Sequence, residues 1–154
     1  MKGGRLRNRD RYLEEAMLFR DTDLIKVITG VRRCGKSSLL DLIRMAVESE
    51  GVAGRGFVSV NLESKGTGIK TEDQLYDYVR GRLSDKGRTY VFIDEPQRID
   101  GWQDAVNAMR IDFDCDIYLT GSNAYLLSSE LATYLSGRYV EVKMLPLSFS
   151  EFAD

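Results

Sequence analysis

Gly30-Val31-Arg32-Arg33-Cys34-Gly35-Lys36-Ser37 has the residue types and spacing of a loop that wraps a polyphosphate, GxxxxGK[ST]. Several backbone N–H groups can point at such a dense anion only where Cβ atoms do not intervene, which Gly30 and Gly35 allow. A helix starting near Lys36 adds free N–H groups and the positive end of its dipole. In that arrangement Lys36 reaches the β- and γ-phosphates and the Ser37 hydroxyl is a Mg2+ ligand. The candidate nucleotide-binding residues are therefore Gly30, Val31, Arg32, Arg33, Cys34, Gly35, Lys36, Ser37 and Ser38. A thiol at a helix N-terminus ionises more readily, so oxidation or alkylation of Cys34 would block the site.

Tyr90-Val91-Phe92-Ile93-Asp94-Glu95 is an apolar run ending in adjacent acids, the form of a Walker B strand. Successive strand residues point to opposite faces, so the two acids are expected to do different jobs. Asp94 is the expected Mg2+ carboxylate, acting through water, and Glu95 the group that polarises and orients an attacking water as a general base. The sequence contains neither the Asp-x-x-Gly nor the Asn-Lys-x-Asp element of guanine-nucleotide switches. A small-molecule P-loop kinase needs no water-activating Glu beside its Mg2+ carboxylate. Hydrolysis of ATP fits better. A nucleotide-gated interaction module with little turnover, and a P-loop kinase, are the alternatives.

Two further segments carry polar groups where they could serve that reaction. Thr120-Gly121-Ser122-Asn123 follows an apolar run, where a side chain leaving the sheet could sense the γ-phosphate or orient water; the plain reading is a strand-to-helix turn with a cap. Ser136-Gly137-Arg138 precedes another apolar run, and Arg138 would suit an arginine finger given to a neighbouring subunit's nucleotide. Its plain reading is an exposed structural arginine.

The elements that must position these residues are legible from periodicity. Leu24, Ile25, Val27 and Ile28 predict a strand before the loop, and Leu39, Leu40, Ile43 and Val47 a helix after it that ends around Gly51. Phe57 to Leu62 predicts a second strand, closed by a polar loop from Glu63 to Lys70. Thr71 and Gln74 form a capping box for a helix carrying Leu75, Tyr76, Val79 and Leu83 and ended by Lys86 and Gly87. Tyr90 to Ile93 is the third strand. Asp100 is the expected cap of a short helix with Trp102, Ala105, Val106 and Met109 on one face. Ile117 to Leu119 makes a fourth strand, Leu126, Leu127, Leu131, Tyr134 and Leu135 a helix, and Tyr139, Val140 and Val142 a fifth strand. Strands alternating with helices predict a parallel sheet covered on both faces.

Residues 1–23 read as a basic N-terminal arm, Lys2, Arg5, Arg7, Arg9 and Arg11, leading into an amphipathic helix with Tyr12, Leu13, Ala16, Met17 and Phe19; residues 24–154 read as the catalytic core. Ser148-Phe149-Ser150-Glu151 with Phe152 is a capping signature at the very end, which predicts that the sequence belongs to a longer protein.

Composition narrows the chemistry. The 154 residues contain no histidine, which removes Ser-His-Asp and Cys-His pairs and histidine-ligated zinc and leaves carboxylates, Lys, Arg and a bound cation. A net charge of -2 gives no global pull toward nucleic acid or anionic lipid. Cys34 and Cys115 are too far apart in sequence for a CxxC pair. No apolar run approaches the roughly 18 residues of a membrane span, and the N-terminus lacks a signal-peptide core, so the expectation is a cytoplasmic protein with no membrane contact.

Taken in order, GVRRCGKSSLL, FIDEPQ, LTGSN, SGRYVEV and PLSFSEF resemble the ATPase domain of a family of bacterial and archaeal AAA+ superfamily ATPases. The resemblance covers essentially the whole chain. It implies a P-loop NTPase three-layer sandwich whose five-stranded parallel sheet runs 5-1-4-3-2, with helices on both faces. It also implies ATP and Mg2+ as cofactors, Asn123 as sensor 1, and Arg138 as the finger. Longer members continue into a helical lid and a C-terminal domain resembling restriction-endonuclease folds. That implies, for the full-length protein, a homo-oligomer and a nucleic-acid or protein client engaged through the C-terminal domain.

Overall fold

In the computed structural model the described residues are 12–14, 17–18, 22, 24–30, 36–50, 56–62, 65–85, 87–121 and 137–144, with backbone alone at 36–38 and 65. The strands are β1 (Ile25–Thr29), β2 (Gly56–Asn61), β3 (Thr89–Asp94), β4 (Cys115–Gly121) and β5 (Tyr139–Lys143). The helices are α1 (Lys36–Glu48), α2 (Glu72–Arg80) and α3 (Trp102–Asp112), with 3-10 turns at Lys65–Thr67 and Pro96–Arg98. All strand pairs are parallel and the sheet order is β2-β3-β4-β1-β5, the expected 5-1-4-3-2 read from the other edge. β4 therefore lies between β1 and β3. The helix expected over Leu126 to Leu135 and the terminal one at Ser148 lie outside the described residues.

Strand alternation divides the core into two layers. Ile25, Val27, Val91, Ile93, Ile117 and Leu119 face one side and pack with Leu75 and Val79 of α2 and Trp102, Val106 and Met109 of α3. Ile28, Tyr90, Phe92, Tyr118 and Val142 face the other, against Leu39, Leu40, Ile43 and Val47 of α1 and Tyr12. Each fully buried aliphatic side chain contributes roughly 1.5–3 kcal/mol, so the apolar stripe of α1, more than its intrinsic propensity, holds that helix to the sheet. Tyr12–Glu14 and Met17–Leu18 are helical, and Leu13 and Met17 pack on the same layer. The basic arm before them lies outside the described residues.

Both ends of α2 and the start of α3 differ in detail from expectation, and β4 is longer than Ile117 to Leu119. α2 stops at Arg80 with Gly81 as its cap, short of Lys86 and Gly87. Gly81 disfavours continuation by about 1 kcal/mol, and Ser84 N–H donates to Thr89 Oγ1 at 2.8 Å, which draws the chain into β3. Thr71 caps α2 as expected, accepting from Gln74 N at 3.2 Å, but the Gln74 side chain accepts from Lys70 N at 2.7 Å, so the reciprocal half of the box is displaced by one residue. Asp100 does not cap α3. The cap is Gly101 at φ 76°, where a Cβ would stand 2.6 Å from Glu72 Oε2, so both backbone conformation and space select glycine.

Candidate functional site

The carboxyl ends of the parallel strands meet in register: Asn61 pairs with Asp94, Asp94 with Thr120, Thr120 with Ile28, and Thr29 with Gly121. This edge is where open α/β sheets bind ligands. Gly30 leaves β1 at the edge and the chain re-enters as the first turn of α1 at Lys36. The connection Val31, Arg32, Arg33, Cys34 and Gly35 lies outside the described residues, as do the side chains of Lys36, Ser37 and Ser38. What is described is the first turn of α1, whose leading N–H groups have no partner within the helix and which carries the positive end of the helix dipole.

Asp94 and Thr120 both lie on the α1 side of the sheet, continuing the alternation of Tyr90, Phe92 and Tyr118. The Thr120 hydroxyl donates to Asp94 Oδ1, and the Thr120 carbonyl accepts the Glu95 N–H at 2.9 Å. One buried residue of β4 therefore grips both acids. Asp94 also lines a cavity of about 350 Å3 with Asn61 and Ser59 of β2 and Asp41 and Arg44 of α1. Its half-buried carboxylate is a hard oxygen ligand. Mg2+ commonly takes one or two carboxylates and completes its shell with phosphate oxygens and water, so the donor fits that ion. Among the described residues no group of three His, Cys, Asp or Glu side chains could cage a metal unaided.

Glu95 leaves the strand in the left-handed conformation, φ 60° and ψ 52°, and among the described residues it is the one non-glycine with positive φ. Pro96 follows it and disfavours the right-handed helical region there, while an extended conformation would merely prolong β3. The strained turn, costing on the order of 1–2 kcal/mol, sends the carboxylate out of the strand's alternation. Gln97 Nε2 donates to Glu95 Oε2. Gln97 Oε1 is buried and has no hydrogen-bond partner among the described residues.

The remaining sequence candidates divide. Asn123 lies outside the described residues; the chain leaves β4 at Gly121, next to β1. Arg138 is exposed and immediately precedes β5, its carbonyl accepting Ile25 N–H at 2.9 Å. That is the amino end of β1, and five residues at about 3.3 Å each put it roughly 16 Å from the acid edge. The structure does not bring Arg138 to the chain's own Asp94 and Glu95. Burial pushes the Cys115 thiol up to about 12, which keeps it protonated and unreactive at neutral pH.

Sequence reasoning missed a buried charge cluster. Lys26 of β1 and Asp116 of β4 form an ion pair with no side-chain exposure, Tyr118 Oη donates to Asp116 Oδ2 at 2.9 Å, and Lys26 Nζ stands 5.4 Å from the centre of the Tyr118 ring. The available signal was a lysine between Ile25 and Val27 and an acid before Ile117, but only strand pairing joins positions so distant in sequence.

Five parallel strands in this order, with helices packed on both faces, make a P-loop-type α/β fold. The chain belongs to the AAA domain family, whose model matches residues 22–153, a family of nucleotide-binding, ATPase-type domains. It is 47% identical over 147 residues to an uncharacterized protein of Haemophilus influenzae, covering 94% of this chain and 37% of that protein. An uncharacterized protein of Methanocaldococcus jannaschii is 36% identical over 129 residues, covering 83% and 28%. The chain thus spans about a third of the length of these relatives. Among solved structures it is similar to a DNA polymerase III gamma subunit-related protein from Thermotoga maritima, with TM-score 0.60, 15% identity and coverage of 92% of this chain and 47% of that one. Saccharomyces cerevisiae RIF2 aligns with TM-score 0.57, 13% identity and coverage of 94% and 57%. These structural likenesses speak for the fold alone. No helix among the described residues is long and apolar enough to cross a membrane.

Proposed function

We propose that this domain binds ATP with Mg2+ and hydrolyses it to drive conformational change in an attached domain or partner. The observation that carries the reading is the paired grip of Thr120 on Asp94 and Glu95, at the same sheet edge as Gly30 and the α1 N-terminus. Lys36 and the N–H groups of the loop and first helical turn bind the β- and γ-phosphates. Ser37 and Asp94 hold the cation, which when bound offsets charge on the β- and γ-phosphate oxygens. Glu95 accepts the proton of a water whose oxygen attacks the γ-phosphorus as the bond to the β–γ bridging oxygen breaks. Asn123 orients that water or senses the γ-phosphate.

Arg138 serves a neighbouring copy in this scheme, because its own acids lie at the opposite edge of the sheet. The same observation supports a second reading, in which an isolated domain binds ATP with little turnover and acts as a nucleotide-gated module. Partners, whether nucleic acid or protein, and a cytoplasmic location belong to the proposal for the full-length protein.

Calorimetry with Mg·ATP tests the site. Lys36→Ala should weaken binding at least about tenfold, the scale of one lost charge-assisted contact. Wild-type affinity in that variant would refute the loop assignment. Mixing Arg138→Ala with Glu95→Gln protein should restore activity if sites are shared between subunits. Phosphate appearing on an added acceptor, and not in solution, would favour a P-loop kinase.

A further inference from the structure

We infer that Gln97 is a positioning residue for Glu95, holding the water-activating carboxylate in its off-strand orientation through the amide N–H. This rests on the ATPase reading above. Only one orientation of the Gln97 amide is chemically sensible, since turning its oxygen toward Glu95 Oε2 would oppose two acceptors. That orientation leaves Oε1 buried and without a partner among the described residues, an arrangement that costs folding free energy. The side chain is thus poorly satisfied on its own account and is held by what it does for Glu95.

Local backbone supports the same assignment. Glu95 is already in a strained left-handed conformation, and Pro96 and the 3-10 turn through Arg98 fix Gln97 two residues further on. Arg98 N–H donates to the Glu95 carbonyl at 3.3 Å and Ile99 N–H to that of Pro96 at 3.0 Å, closing the turn. Thr120 controls the Glu95 backbone from one side and Gln97 its carboxylate from the other. A side chain that breaks a packing rule beside a strained catalytic candidate is the expected signature of stability given up for function.

The experiment uses the full-length protein and three variants, Gln97→Met, Glu95→Gln and the double substitution. Methionine keeps the length of glutamine and removes both the donor and the unpartnered oxygen. Gln97→Met should lower kcat about tenfold, leave the ATP dissociation constant within twofold, and leave the melting temperature equal or higher. In the Glu95→Gln background it should cause no further loss, because the carboxylate it positions is gone. A purely structural Gln97 predicts a lowered melting temperature and the same fractional loss in both backgrounds, and either result overturns the inference. Turnover that depends on Glu95 yet survives Gln97→Met refutes this inference alone. Turnover that survives Glu95→Gln refutes the ATPase reading beneath it.

Discussion

Asp94 and Asp116 stand on neighbouring parallel strands and face the same layer, yet the protein treats them oppositely. Asp116 is buried, paired with Lys26 and bonded by Tyr118. Asp94 is half-buried, lines a cavity and takes a hydroxyl from Thr120. A fully compensated charge ties β1 to β4 and has no opening for a ligand. An acid that is half-buried and lines a cavity stands where a ligand can reach it. Under the proposed function, the contrast separates a carboxylate that ties two strands together from one that works in the site.

The strongest way to break that contrast is to remove one partner of the sealed pair. Lys26→Met strands a carboxylate in the core and should cost about 3–5 kcal/mol, measured by urea unfolding, whereas Lys26→Met with Asp116→Leu should recover much of the loss. Asp94→Asn should behave in reverse: ATP turnover falls about 100-fold, roughly 2.7 kcal/mol of barrier, while folding stability changes by less than about 1 kcal/mol. A large stability loss there, with turnover retained, would make Asp94 another structural charge.

The smallest test compares hydroxyls. Tyr118→Phe removes a donor from a carboxylate with no access to water and should cost about 1–3 kcal/mol. Thr120→Val removes the donor from a carboxylate that water can reach and should cost less, with the loss falling on turnover.

Periodicity was enough for the strands and the described helices, because each strand is a short apolar run and each helix buries one stripe, as Leu39, Leu40, Ile43 and Val47 do, while the strand order came from the family resemblance. Asp94 and Glu95 stood out because two acids end an apolar strand. The grip of Thr120 on both depends on register between β3 and β4, and the left-handed turn at Glu95 on the competition between its two backbone options before Pro96. The first has no local sequence signal, and for the second Pro96 disfavours one backbone option without selecting the left-handed turn. Lys26 has a partner, Asp116, that only the pairing of β1 with β4 brings to it. Gly101 replaced Asp100 as the α3 cap because Glu72, distant in sequence, fills the space a side chain would need.

The central claim, that the acid pair at the end of β3 performs ATP hydrolysis, is tested most directly by single-turnover phosphate release from Glu95→Gln protein loaded with Mg·ATP. The account predicts that ATP is retained with wild-type affinity and that its cleavage slows by about 100-fold or more, within the range that positioned general bases supply. Cleavage at the wild-type rate would contradict it.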